Sequence, residues 1–155
     1  MSAQSCSTEC NRGLGKVGHF LGHFLLFAIR LYWGSLFIKA GIMKFSQLGN
    51  MAEMFSNVSI PFPYVAVIIV AIFEIVGGVS WILGLFSRLF SIPLIILLVV
   101  AYFTAHIDAL TSIFTNPSLF TSDVPFLFLY TALVIFCFGP GKISLDYLIC
   151  RKSPK

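Results

Sequence analysis

Apolar runs about as long as a membrane is thick follow one another along this chain, and they decide what it can fold into. Crossing about 30 Å of hydrocarbon takes about 20 apolar residues in a helix. Runs of roughly that kind extend from Phe20 to Met43, Tyr64 to Phe86 and Leu89 to His106, and a shorter one from Val124 to Phe138. Periodicity does not separate strand from helix inside a wholly apolar run. The need to satisfy every backbone N–H and C=O within the segment does, and it selects helices. Composition agrees: 58% of residues are hydrophobic and 10% charged, with a mean hydropathy of +0.96, against roughly 25% charged in soluble domains. So little charge cannot coat a surface in water, and membrane lipid is the expected surrounding. The expected fold is all-α, a transmembrane four-helix bundle.

The connections predict topology. Only Ser87 and Arg88 separate the second and third runs, which makes them a tight antiparallel hairpin. Between the first and second runs, Leu48, Met51, Phe55 and Val58 recur at helical spacing, the pattern of a short amphipathic helix lying on the membrane and stopped before Pro61 and Pro63. The third connection mixes polar and apolar residues and reads as either a loop or a partly re-entrant segment. Lys and Arg counts set orientation. Arg12, Lys16, Arg88, Lys142, Arg151, Lys152 and Lys155 fall on one side, and Lys44 on the other. Both termini are therefore expected in the cytoplasm (N-in and C-in), in the cell (inner) membrane. The net charge of +4 is spread beside the apolar runs rather than gathered with aromatics into a patch, which argues against nucleic acid as a partner.

Charges inside a span cost at least roughly 2.5–3.5 kcal/mol each near the centre, so they mark function by default. Arg30 and Glu74 lie about midway along the first two runs, and are expected to meet as a midplane charge pair. On a helical wheel Gly34, Phe37, Gly41 and Lys44 fall within about 40° of Arg30. Gly78 and Trp81 follow Glu74 on its face, and small residues let helices approach closely. Arg30, Gly34, Glu74, Gly78 and Trp81 thus form the candidate ligand site, set against a purely structural clasp that fixes helix register. Lys44, Tyr102, His106 and Asp108 are expected at the outer mouth, with His106 and Asp108 set against a plain interfacial ending of the third run. Tyr102 and His106, four apart, share a helix face, whereas His106 and Asp108 do not.

Cys6, Cys10, His19 and His23 supply four metal-ligating side chains, but the two pairs stand closer together than in zinc fingers, and no metal site is expected. Cys6 and Cys10, with Cys137 and Cys150 at or near the same face, are expected reduced in a cytoplasmic setting. No phosphate-binding glycine loop, nucleophile elbow, HExxH or CxxC occurs. The chain therefore carries no autonomous catalytic motif, and whether it is itself an enzyme stays open, with the catalytic residues unknown.

Three segments in order, RLYWGSLFIKAGIMKF, EIVGG with LGLFSR, and GPGKISLD, resemble the DoxX family of small membrane proteins. The likeness covers Arg30 to Asp146 through Arg30, Gly34, Gly41, Lys44, Glu74, Gly78, Gly84, Arg88, Gly139 to Gly141, Ser144 and Asp146. It divides the chain into a tail (1–18), a membrane domain (19–146) and a basic tail (147–155). It implies a four-helix protein of the cytoplasmic membrane, similar to the small quinone-linked subunit of thiosulfate:quinone oxidoreductase. Quinone is the cofactor implied, with Arg30 donating to a carbonyl oxygen and Glu74 anchoring Arg30 or moving protons. An accessory subunit of a thiol, sulfur or oxidative-stress redox system is the first expectation, with a protein partner or a second copy of the chain. A non-enzymatic scaffold that recruits a partner is the second. A small transporter ranks third, because four short helices without internal repeats make a poor alternating-access machine.

Overall fold

The computed structural model of the chain describes residues 3–141 and 143–147, with side chains from residue 18 onward apart from 19. Every regular element among them is helical: α1 (Ala3–Ser46), α2 (Leu48–Asn57), α3 (Pro63–Leu83), α4 (Ser87–Thr104), α5 (Ile107–Thr111), α6 (Pro117–Ser122) and α7 (Val124–Phe138). Helix α1 is longer than its apolar run. The first proline is Pro61, so nothing in the preceding sequence forces a break. Its stretch Phe20–Ser46, together with α3 and α4, is long and apolar enough to cross a membrane. Helix α7 has 15 residues, a rise of only about 22 Å at 1.5 Å per residue.

The amphipathic segment forms α2, which buries Ala52 and ends ahead of Pro61. Helix α3 starts at Pro63, where the missing N–H costs nothing. It ends at Leu83, three residues short of the apolar run's end at Phe86, because Gly84 turns left-handed at φ 67°. The Gly84 and Leu85 N–H groups then bond back to the carbonyls of Trp81 and Ser80, the glycine-terminated Schellman arrangement. The third connection is not a simple loop: it carries α5 and α6, both without buried residues.

Helix α1 packs along α3, α4 along α7, and the α3–α4 hairpin joins the two pairs, with α2 laid across α3. Helices α1 and α7 touch only sparsely, leaving a groove of about 210 Å³ between Trp33 and Tyr130. The core gathers Phe37, Trp81, Leu94, Ala132 and Ile135. Edge-to-face rings link Trp81 to Phe37 at 5.2 Å, Phe37 to Phe128 at 4.7 Å and Phe128 to Trp33 at 4.9 Å. The Trp81 indole N–H also donates to Ser91 Oγ at 3.1 Å, so the buried ring carries no orphan donor. Outward, Ile69, Ile72, Val76, Ile96 and Leu133 are exposed. So broad an apolar surface suits lipid contact rather than water.

The α1–α3 register rests on two glycines. A Cβ on Gly34 would lie 2.8 Å from the Gly78 carbonyl oxygen, and one on Gly78 would lie 2.6 Å from that of Gly34. Two turns along, Gly41 meets Ala71 and Ile75 in the same way. Backbones this close exclude any side chain at the crossing.

Candidate functional site

The close approach fixes depth, and it separates the two intramembrane charges expected to pair. With Gly34 against Gly78, Arg30 stands level with Gly84 rather than Glu74. The offset is about ten residues, or about 15 Å along the axis. Helical side chains lean toward their own N-terminus. In antiparallel helices, Arg30 and Glu74 therefore lean in opposite directions and move further apart. The midplane Arg30–Glu74 pair does not form, and Trp81 faces the aromatic core instead of Arg30.

Arg30, 1% exposed, serves the C-terminal segment. Its two terminal nitrogens donate to the carbonyls of Pro140 and Ile143, the second at 2.7 Å, and its guanidinium lies 5.8 Å from the Phe27 ring centre. The rest of GPGKISLD locks onto the α3–α4 turn. Asp146 Oδ2 accepts from the Phe86 N–H at 2.9 Å, and the Asp146 N–H donates to the Gly84 carbonyl at 3.2 Å. Arg88 donates to the Cys137 carbonyl at 3.3 Å, satisfying an acceptor at the end of α7. Gly84 is fitted against Ser144 and Arg30, and Gly139 against Arg88, both with positive φ. Most of the motif residues at this end are thus occupied in closing the bundle.

Glu74 pairs with Lys44. The Lys44 ammonium lies 2.7 and 2.8 Å from the two carboxylate oxygens, with side-chain exposures of 19% and 13%. Lys44, expected at the outer mouth, leans back one turn along α1 while Glu74 leans toward the start of α3, so the two converge. Isolated, either charge would be costly in an apolar setting; paired and hydrogen-bonded, each offsets much of the other's desolvation.

Both side chains line a cavity of about 690 Å³, which lies between the α1–α3 and α4–α7 pairs. Phe37, Leu94 and Phe128 close it toward the core, Val70, Leu98 and Ala101 form walls, and Met54 to Pro61 cover it from α2 and the turn beyond. Ligand pockets typically hold about 300–1,000 Å³, with mostly apolar walls and a few placed polar groups. This one has that size and that character. An ammonium has three N–H donors, and the carboxylate it faces offers two acceptor atoms, so Lys44 retains donor capacity for a third partner.

His106 reaches the same cavity from the end of α4. Its Nδ1 lies 2.8 Å from Asp123 Oδ2, and its ring centre 6.2 Å from that of Tyr102. Tyr102 is buried, stacks on Phe120 at 5.1 Å, and its hydroxyl has no hydrogen-bond partner among the described residues. Asp108 is exposed on α5 and does not join this group. Asp123 was not singled out from the sequence. Its signal was local: an Asp directly before Val-Pro at the start of an apolar run is a helix N-cap, and its Oδ1 accepts from the Val124 N–H at 3.0 Å.

The side chains of Cys6, Cys10 and His19 lie outside the described residues, and His23 packs near Gly141. No three His, Cys, Asp or Glu side chains gather for a metal among the described residues.

Comparison with known proteins places this arrangement. The DoxX family model matches residues 25–107. A Haemophilus influenzae protein described as an uncharacterized protein is 27% identical over 133 residues, covering 83% of this chain and 85% of its own. A Bacillus subtilis protein named "Putative oxidoreductase CatD" is 25% identical over 123 residues, covering 79% of this chain and 85% of its own. No solved structure matches. The family match spans more than half the chain, from before Arg30 to just past His106, and takes in both charges that line the cavity: this multi-pass membrane protein belongs to the DoxX family.

Proposed function

We propose that this chain is a quinone-holding accessory subunit of a redox system in the cytoplasmic membrane, with α1, α3, α4 and α7 all spanning and both termini inside. The observation that carries this is the Lys44–Glu74 pair set into the wall of a mostly apolar cavity of about 690 Å³. A quinone is a flat ring with carbonyl acceptors and an apolar tail, and the donor set fits it. Lys44 would donate to a ring carbonyl with Glu74 holding the ammonium in place, and Phe37 and Phe128 would supply apolar wall against the ring. When bound, the quinone supplies two-electron chemistry, and electrons pass to or from a partner protein. The name of the CatD relative supports a redox setting. The role first expected of Arg30 moves to Lys44, because the Arg30 guanidinium is engaged by main-chain carbonyls.

The protein purified from membranes in mild detergent is expected to carry extractable quinone, and Lys44→Met to carry several-fold less at equal yield. Wild-type protein that brings no quinone and binds no short-chain analogue would remove this reading.

A further inference from the structure

The cavity has a second polar end, at His106, and its chemistry differs from the first. Asp123 is held from two directions: its Oδ1 accepts from the Val124 N–H, and its backbone carbonyl accepts from Phe126. His106 is pinned as firmly, its N–H bonded to the Ala101 carbonyl and its own carbonyl to the Leu110 N–H. Two anchored residues at opposite ends of the α5–α6 connection thus bring Nδ1 to 2.8 Å from Oδ2. The two atoms are not aligned as a hydrogen bond, and Oδ2 has no hydrogen-bond partner among the described residues, but a carboxylate this close repels a ring lone pair and so favours the proton on Nδ1. Nε2 of the neutral ring is then a pure acceptor. The ring is 34% exposed and lines the cavity.

We propose that His106, oriented by Asp123, is the specificity residue of the cavity and selects ligands that present a hydroxyl. A carbonyl oxygen offers nothing to an acceptor nitrogen, whereas a phenolic O–H donates to it. Resting on the quinone reading above, this assigns the His106 end to the reduced, hydroxyl-bearing ring, while the Lys44 end tolerates either form because an ammonium donates equally to a carbonyl or a hydroxyl oxygen. The site therefore holds hydroquinone more tightly than quinone, with Asp123 acting as a positioning residue.

The test is calorimetric titration of the full-length protein in detergent, without oxygen, using a decyl-substituted hydroquinone and its dimethyl ether, which keeps ring and tail but has no O–H. Wild type is expected to prefer the hydroquinone by about tenfold, the worth of one well-made hydrogen bond. His106→Phe and Asp123→Ala are expected to abolish the preference, by lowering hydroquinone affinity about tenfold relative to that of the ether. His106→Gln, which keeps an acceptor of similar reach, is expected to retain part of it and serves if the Phe variant fails to fold. Equal affinities in wild type, or a preference that survives His106→Phe or is lost equally in His106→Gln, overturns the assignment of His106 and leaves the cavity reading standing. Failure of both compounds to bind wild type removes both.

Discussion

Gly78 occupies a point where two backbones meet, and a single methyl group is enough to test it. An added Cβ at 2.6 Å from a carbonyl oxygen has no flexible neighbour to displace. Gly78→Ala is therefore expected to destabilise the protein by about 1–3 kcal/mol, read as a lower midpoint of thermal unfolding in detergent, while Gly49→Ala, with nothing within 4 Å, leaves it unchanged. The Lys44–Glu74 pair makes a sharper prediction. Removing one partner strands the other, so Lys44→Met or Glu74→Leu alone is expected to cost about 3 kcal/mol. The double variant is expected to recover most of that stability, because two apolar side chains suit the cavity wall, and yet to lose the bound quinone. Stability and binding then respond in opposite directions to the second substitution. The odd charges Arg30, Glu74 and Lys44 were all legible in the sequence. Their pairing was not, because it depends on the α1–α3 register and on the direction in which each side chain leans. Arg30 was the least readable of the three: its partners are carbonyl oxygens of Pro140 and Ile143, and any residue type would present the same group.

Among the elements, α2, α4 and α7 lie close to where run length and proline placement put them, because those signals act within a few residues. Helix α3 stops short of Phe86, since a glycine can end a helix where hydrophobicity continues. The cavity had no sequence signature at all. It arises between helix pairs, and apart from Lys44, Glu74 and His106 most of its lining, on α1, α2, α3, α4, α7 and the turn after α2, does not differ in kind from the apolar residues beside it. At this scale the segment 139–147 makes the clearest prediction. Arg30→Met removes the donors that hold two of its carbonyls, and amide exchange in 143–147 is expected to accelerate at least tenfold, with α3 and α4 unchanged. Asp146→Ala is expected to act in the same direction, less strongly, by freeing the Phe86 N–H.

For the whole molecule, the proposed orientation places the α3–α4 turn and the end of α7 on the cytoplasmic side, with α5 and α6 outside. Cys137 is exposed at the end of α7. In a variant with Cys6, Cys10 and Cys150 changed to Ser, a membrane-impermeant maleimide is expected to label Cys137 in inverted vesicles and not in intact cells. A cysteine introduced by Ser118→Cys, in α6, is expected to give the reverse. Identical labelling from both sides would refute the topology. The all-helical, multi-pass character was readable from charge poverty and run length alone, whereas the ring order of the helices, with a sparse α1–α7 seam, was not.

The Arg30 contacts also bear on how such a chain is made. A cation that enters the bilayer with the first span must wait for acceptors more than a hundred positions downstream. Until those carbonyls leave the ribosome, the guanidinium of the nascent bundle lacks the two acceptors it has in the finished fold. A product truncated before Pro140 is therefore expected to leave those donors unpaired in an apolar setting and to be degraded faster than the longer chain in a pulse-chase.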